Sequence, residues 1–360
     1  MKNVTKILTA AVLCAALFAS DQRINALGGN AGFWPGDEAN IANFPAQMNN
    51  HSYVQLAGVG GDTNSASILW NDGGTTWGFD FDNSNEDWFN INWGSNGMGV
   101  AVGMINWSDG GEGTAENAKS GHNLGWGKGF DWGEIGVGLA SSTTTTGEVQ
   151  NAATCVDGTG ADVTDDTTVD DATCVTAGGA GSVFTDASTD AAFDTDWAKT
   201  SLNFSRSMDL WAFDTILASY SSTEVGDADA VTNLSVDFAS HMNAGAADVV
   251  FAMGLDMDDD GTDDGASNTM KSTVAVEANM TDWATARAGA TYEYNLSSDD
   301  DKTGNAFGWA WGLGFNWGDF TADFTVNDDI FSTPIKTITG YGDGITKDSD
   351  DVSATFTYSF

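Results

Sequence analysis

The chain ends on Val352-Ser353-Ala354-Thr355-Phe356-Thr357-Tyr358-Ser359-Phe360. Apolar residues occupy every second position of this stretch, and serine or threonine occupies the positions between them. A period of two is typical of a β-strand with one apolar and one polar face. The stretch therefore predicts a strand whose apolar face, including Tyr358 and the final Phe360, lies against an apolar environment.

The same alternation occurs upstream in segments that are long enough to cross a membrane. Over the eleven residues 307–317, every second residue is large and apolar, and the others are small or polar. This length matches the about 9 to 11 residues that a tilted strand needs to span a bilayer. Large residues outside and small or polar ones inside are the inverse of a water-soluble barrel. Similar segments are 77–81, 89–93, 98–104, 135–139 and 320–326.

Short connections alternate with long acidic ones between these segments. The short ones are 71–75, 94–97, 129–132, 206–209, 243–245, 281–282 and 316–319, and the long ones are 108–120, 141–194, 222–230, 256–268, 297–303 and 328–349. Outer-membrane barrels keep short turns on the periplasmic side and long loops outside. The pattern predicts an all-β, up-and-down antiparallel transmembrane β-barrel of about 16 strands, or about 14 if the weak segment 52–71 is not counted.

Composition and the start of the sequence agree with export to the bacterial outer membrane. The 44 glycines, 14 tryptophans and 20 phenylalanines, against three prolines, indicate many short aromatic strands joined by tight turns. Residues 1–6 are basic and 7–19 are apolar, which predicts a secretory signal peptide over 1–20. A net charge of −40 argues against nucleic acid as a partner.

Two regions carry a resemblance to known families. The terminal strand, with Tyr358 and Phe360, resembles the insertion signal of outer-membrane barrels, which implies the barrel assembly machinery and membrane lipid as partners. The element Ala26-Leu27-Gly28-Gly29, the acidic pair Asp37-Glu38, and Asn43 followed by Pro45-Ala46 resemble the amino-terminal signature of FadL-like and PorV-like proteins. This resemblance implies a periplasmic or plug segment over 21–50, followed by a barrel over 51–360 with a long extracellular loop at about 141–195.

Polar residues between the outward apolar ones are expected to line the lumen. Carboxylates around a water-filled pore attract cations and repel anions. The alternative is that these residues pair with one another, so that their role is to fix the register of the strands. The predicted pore-lining residues are Asp80, Asp214, Asp237, Asp248, Glu277, Arg287, Glu293 and Asp323.

Residues 256–265 match the first half of a calcium loop, with carboxylates at alternate positions and a glycine for the turn. Asp256, Asp258, Asp260 and Asp264 are the candidate ligands of a Ca²⁺ ion; no other cofactor is expected. The closing glutamate of such a loop is absent, because Ser267 stands there. The alternative is a solvated acidic loop.

Cys155 and Cys174 flank the centre of the longest predicted loop, which is rich in aspartate, threonine and glycine. An even pair in an oxidising compartment predicts a disulfide.

No hydrolase elbow, zinc-protease motif or phosphate loop occurs, and so no enzymatic activity is expected. The sequence therefore predicts an outer-membrane porin or transport channel for small solutes, either cation-leaning or FadL-like for hydrophobic compounds, with homo-oligomers left open. The main alternative is a non-conducting surface or scaffold barrel whose acidic loops bind calcium or partner proteins. A secreted soluble β-helix or sandwich is a third class.

Overall fold

Strands that alternate large apolar with small or polar residues make up most of the chain. The structure is a computed structural model that describes residues 21–59, 64–83, 89–108, 118–146, 149–151, 154–156, 183–185, 188–190, 193–262, 265–297, 305–326 and 352–360. Sixteen of its strands pair, neighbour to neighbour, into one closed antiparallel barrel. The predicted all-β, up-and-down barrel is confirmed.

The strands follow one another in chain order. They are β1 (Tyr53–Val59), β2 (Asn64–Asp72), β3 (Thr75–Asn83), β4 (Phe89–Ser95), β5 (Met98–Ser108), β6 (Ala118–Phe130), β7 (Gly133–Thr146), β8 (Val149–Asn151), β9 (Thr154–Val156), β10 (Val183–Thr185), β11 (Ser188–Asp190), β12 (Phe193–Leu210), β13 (Phe213–Val225), β14 (Val231–Asn243), β15 (Ala247–Asp259), β16 (Ala266–Thr281), β17 (Ala284–Asn295), β18 (Ala306–Trp317), β19 (Phe320–Val326) and β20 (Val352–Ser359). The barrel runs from β1 to β7 and from β12 to β20, while β8–β11 form two separate two-stranded sheets.

The terminal strand closes the barrel. β20 pairs with β19 on one side and with β1 on the other, where Tyr53 lies opposite Ser359 and Gln55 opposite Thr357. The backbone N–H of Phe360 also donates to the carbonyl of Ser52 over 3.2 Å. β20 therefore closes the barrel, and the described sheet has no unpaired edge strand.

The two faces of the barrel have opposite chemistry. Large side chains such as Trp77, Phe81 and Phe307 are 43%, 53% and 67% exposed on the outer face. On the inner face, Thr355 and Asp323 are almost fully buried. A closed barrel with an apolar, aromatic outside is built to face lipid. The chain is a transmembrane β-barrel of the bacterial outer-membrane type.

Several strands extend into stretches that the sequence predicted as turns or loops. The turn expected at 206–209 lies instead at residues 211–212, because β12 continues to Leu210, which pairs with Phe213 beyond a register irregularity. The loop expected from residue 256 begins only after Asp259, since β15 and β16 pair out to Asp259 and Ala266. The weak segment does contribute strands, over Tyr53–Val59 and Asn64–Asp72, and the predicted number of about sixteen barrel strands is confirmed.

Before β1, the chain forms short helices. They are α1 (Asp21–Ala26) and three 3₁₀ helices, Ala31–Phe33, Glu38–Ala42 and Pro45–Asn50. The side chains of Asn30 and Asp37 cap the first two 3₁₀ helices by accepting from the N–H groups of Gly32 and Ala39, each over 2.9 Å. Among the described residues, no helix has the length and apolar character needed to cross a membrane.

The chain forms two compact units. One comprises residues 1–105, 121–142 and 197–360, and the other comprises 106–120 and 143–196. In the second unit, the hydroxyls of Thr143 and Thr145 donate to Asp196 and Asp194, each over 2.7 Å. Cys155 falls on β9, but Cys174 lies outside the described residues, as does the signal peptide. The disulfide stays a prediction.

Replacing Trp311 by arginine should impair barrel insertion. Trp311 lies on the outer face near the middle of β18, opposite Ala288 of β17 and Val326 of β19. A cation at mid-depth on the lipid face costs roughly 2 to 4 kcal/mol, whereas near the interface it costs about 0 to 1 kcal/mol. Trp317→Arg at the end of the same strand is therefore the matched control. The folded fraction on a heat-modifiability gel should fall for Trp311→Arg only, and equal folding of both variants would contradict the face assignment.

Candidate functional site in the barrel lumen

Residues 21–52, here called the plug, lie against the inner wall of the barrel, and apolar packing holds part of this segment. Ile24, Leu27, Phe33 and Trp34 of the plug join a buried cluster with inward residues of β13–β16, namely Leu217, Ala239, Val250, Ala252 and Ala275. These wall residues are apolar on an inner face where most residues are small or polar. Their apolar side chains are explained by the plug that covers them.

Glycines of the inner wall let the plug backbone approach closely. A Cβ atom built on Gly136 would lie 1.8 Å from the carbonyl oxygen of Asn43, and one built on Gly99 would lie 1.9 Å from that of Pro45. On the other side of the barrel, a Cβ on Gly289 would lie 2.4 Å from the carbonyl carbon of Leu27. No side chain can occupy these positions without displacing the plug.

Arg23 of α1 is the centre of a buried ion-pair network. Its Nη1 lies 2.5 Å from Asp37 Oδ2 of the plug, and its Nε and Nη2 donate to Glu277 of β16 over 2.7 and 3.1 Å. The guanidinium therefore holds the plug together and binds it to the wall. Burial lowers the pKa of Arg23, but the charges of Glu277 and Asp37 outweigh burial and raise this pKa above its ordinary value.

The network continues along the wall. Arg287 Nε donates to Glu277 Oε2 over 2.6 Å, and its Nη1 donates to Asp323 Oδ1 over 2.6 Å. The network thus pairs two arginines with three carboxylates, Asp37, Glu277 and Asp323. It is buried, since Arg23 is only 3% exposed and Asp323 only 1%. Removing one member of such a buried network leaves an uncompensated charge, at a cost of about 3 to 5 kcal/mol.

His241 of β14 makes a second polar contact between wall and plug. Its Nδ1 lies 2.6 Å from Asp214 Oδ1, and its Nε2 lies 2.6 Å from the carbonyl oxygen of Phe33. Both ring nitrogens face acceptors. Only the doubly protonated ring can donate to both at once.

The predicted pore-lining residues lie where the plug and the cavities are. Glu277, Arg287 and Asp323 belong to the network around Arg23, and Asp214 holds His241. Asp248 lies opposite Glu277 and accepts a hydrogen bond from Asn243.

The remaining predicted carboxylates have polar neighbours of their own. Asp80 accepts a hydrogen bond from Asn92, and Asp237 accepts one from Ser235. Glu293 lies 3.5 Å from Lys271 Nζ. The wall thus brings these carboxylates to the inner face, and many of them are paired rather than free.

The candidate calcium ligands are not gathered at one point of the described chain. Asp256 forms an ion pair with Lys271, and Asp258 accepts from Asn233 over 2.5 Å, both on β15. Asp260 lies after the end of this strand, and Asp264 lies outside the described residues. Within the part of the chain that the structure describes, no three His, Cys, Asp or Glu side chains form a metal-binding group. Calcium binding stays a prediction.

Arg23 and Asp37, the two plug residues of the ion-pair network, were not identified as site residues from the sequence. Arg23 is 254 positions from its partner Glu277, and so no local pattern joins them. A signal was present in the inward apolar residues Leu217 and Val250, which a water-filled lumen would not require.

The comparisons with known proteins concern the fold. No protein-family model and no curated protein matches the sequence. Among solved structures, the chain is similar to a bacterial polysaccharide outer membrane secretin, at 10% identity over 86% of this chain and 97% of that one, with a TM-score of 0.48. It is also similar to the CymD monoaromatic hydrocarbon channel (13% identity, 96% and 98% covered, TM-score 0.44) and to a Pseudomonas aeruginosa FadL homologue (12%, 94% and 97%, 0.42). The outer-membrane assignment rests on the closed sheet and its apolar outer face.

Adding a methyl group at Gly136 should loosen the plug. Gly136→Ala places a Cβ on the carbonyl of Asn43, whereas a Cβ on Gly308, also on the inner wall, meets nothing within 4 Å. Gly308→Ala is therefore the matched control. Amide hydrogen exchange over residues 21–52 should speed up in Gly136→Ala and stay at the wild-type rate in Gly308→Ala. Unchanged exchange in both variants would show that the plug does not rest on this wall.

His51 should make barrel stability fall in mild acid. The residue lies at the end of the last 3₁₀ helix, 6% exposed, and burial lowers its pKa to about 4. The unfolded chain binds a proton near pH 6.5 while the folded chain does not, so stability is full above that pH and falls as pH drops toward 4. The free energy of unfolding in detergent should decrease by about 2 kcal/mol between pH 7.5 and pH 5. His51→Gln should remove this part of the slope, and an identical slope in both proteins would contradict the assignment.

Proposed function

We propose that the protein is a plugged outer-membrane channel for small polar solutes that prefers cations to anions, and that α1 with the network around Arg23 is the part that closes it. The observation that carries this proposal is the position of the plug between two cavities. One cavity, of about 570 Å³, is lined by Arg23 and Trp34 together with residues at the short-turn end of the barrel such as Gly245 and Gly318. The other, of about 450 Å³, is lined by Gln22 and Ile24 together with strand ends near the long loops.

Neighbouring residues of one short helix thus line opposite cavities. Gln22 and Ile24 line the cavity toward the long loops, and Arg23 lines the cavity toward the short turns. Short turns lie on the periplasmic side of outer-membrane barrels. The position of α1 next to both cavities supports its role as the barrier.

The charges of the inner wall support a preference for cations. Arg23 and Arg287 are neutralised by three carboxylates, and Lys271 by Asp256 and Glu293. Further inward carboxylates, among them Asp80 and Asp237, face no arginine at hydrogen-bond distance among the described residues. A lumen with excess negative charge concentrates cations and repels anions.

The lining favours polar over hydrophobic cargo. Hydrophobic compounds are the cargo implied by the FadL-like resemblance. Asparagine, glutamine, serine and backbone groups predominate in the cavity toward the long loops, around Gln22, Asn25, Asn30 and Asn64. An apolar molecule there would leave these groups without hydrogen bonds, at a cost of about 1 to 3 kcal/mol for each buried group.

A non-conducting scaffold barrel is the second candidate. The observation that favours it is the same network, because a plug held by buried ion pairs blocks passage unless something displaces it. In this case the loops would carry the function, through calcium or partner proteins. Conductance separates the two candidates.

Arg23→Ala should open the channel. Loss of this side chain removes the ion pair with Asp37 and the ion pair with Glu277 of the wall. If the closed state is destabilised by about 3 kcal/mol, the fraction of open channels rises about a hundred-fold. In planar bilayers, the wild type should give small or infrequent currents, Arg23→Ala should give larger or more frequent ones, and both should be cation-selective in a salt gradient. Arg206→Ala, an exposed arginine on β12, is the control and should behave as wild type. Silent but folded barrels for all three proteins would instead favour the scaffold.

A further inference from the structure

A third cavity lies beside the plug on the other side of the barrel. Its volume is about 430 Å³, and it is enclosed by the plug helix Glu38–Ala42 and by strands β1–β6. Six side-chain amides and carboxylates line it together with apolar residues such as Ile41, Leu69 and Ala101, and no lysine, arginine or histidine belongs to the described residues around it. The polar residues of its lining include Gln55, Ser67, Asp80, Asn90, Asn92 and Asn123.

The amides of this cavity are organised in pairs that leave other atoms free to bind a solute. Asn92 Nδ2 donates to Asp80 Oδ2, and Asn123 Nδ2 donates to Asn90 Oδ1 over 3.0 Å. Within the described chain, the Nδ2 donor of Asn90 and the Oδ1 acceptor of Asn123 then have no bonding partner. Gln55 uses its Nε2 on Glu38 and Thr357, each at 3.1 Å, and keeps its Oε1 acceptor. The described lining therefore offers a free amide donor, on Asn90, and free amide acceptors, on Asn123 and Gln55.

A glycine supports the central pair. Gly103 lies opposite Asn90 in the register, and a Cβ built on it would lie 2.0 Å from Asn90 Oδ1 and 2.5 Å from Asn123 Oδ1. Both amides thus fold over a position that has no side chain. The absence of a Cβ is what lets them face the cavity in this arrangement.

We propose that this cavity is a binding site for a neutral polyhydroxylated solute of about the size of one sugar ring, and that such solutes are a substrate class of the channel. The proposal rests on the function proposed above. A hydroxyl donates and accepts at once, and so a polyol can serve the Asn90 donor and the Asn123 and Gln55 acceptors together. The volume lies within the range of small-molecule sites.

Other solute classes fit the cavity less well. An anion would meet the carboxylates of Asp80 and Glu38 in a described lining that contains no lysine, arginine or histidine. A hydrocarbon would leave the amides unpaired. A simple cation could use the carboxylates but would offer the Asn90 donor nothing to bind. Only a molecule that carries both donors and acceptors uses all the free polar groups of the lining.

Binding is tested on the full-length folded barrel in detergent, by calorimetric titration with glucose and, as a cationic probe, tetramethylammonium. We expect glucose to bind in the millimolar range or tighter, and Asn90→Ala and Asn123→Ala each to weaken it about five- to ten-fold, the effect of one or two hydrogen bonds. Asn233→Ala, which changes an asparagine of β14 that lies outside this cavity, is the matched control and should bind glucose as wild type does. Heat-modifiability gels confirm that each variant is folded.

The outcomes separate this site from the channel itself. No glucose binding in a barrel that conducts ions would overturn the polyol site and leave the proposed function intact. Tetramethylammonium binding that is lost in Asp80→Asn, with no glucose binding, would replace the polyol by a cation. Glucose binding that depends on Asn90 in a barrel that never conducts would support the site and overturn the channel. If an asparagine variant fails to fold, Gly103→Ala, which displaces both amides, should weaken glucose binding in its place.

Discussion

Closure of the sheet is the constraint on which the rest of the structure depends. In hydrocarbon no water can satisfy a backbone N–H or C=O, and so every lipid-facing strand needs a partner on both sides. β20 meets this need by pairing with β19 and β1 at once. Because the pairing register fixes which residues share a face, closure also decides that Thr355 and Thr357 point into the barrel while Phe356 and Tyr358 point to lipid. The composition of the lumen follows from this single condition.

The lumen is then a place where polar groups have to be satisfied by protein. The plug supplies part of what the wall lacks: Arg23 brings a cation to Glu277, and the carbonyl of Phe33 lies against His241. The wall supplies space in return, since Gly99, Gly136 and Gly289 leave room for the plug backbone. Plug and wall are therefore complementary in charge and in volume. A change on either side acts on the other.

The sequence predicted the barrel well because the barrel is a local pattern repeated many times. A period of two, as in 307–317, can be recognised within one strand, and the predicted number of about sixteen strands agrees with the closed barrel. The turn after β12 was misplaced because polar Arg206 and Asp209 look like turn residues, whereas the structure turns at Trp211 with a left-handed backbone. The site was harder to predict from the sequence, because Arg23 and Glu277 come into contact only in the folded barrel. No spacing in the chain encodes a contact between residues so far apart.

The plug is held unevenly around the barrel. Toward β16–β19 it is bound by the network of Arg23, Glu277, Arg287 and Asp323, whose members are expensive to separate. Toward β1–β7 the described contacts are hydrogen bonds from neutral donors, such as that from Gln55 to Glu38, the packing of Met48 against Tyr53 and Leu69, and close packing on glycine. Hydrogen bonds of this kind contribute about 1 to 3 kcal/mol each, less than the loss of a buried ion-pair partner. The plug is therefore held by paired charges on one side, and by neutral donors and close packing on the side where the amide-lined cavity lies.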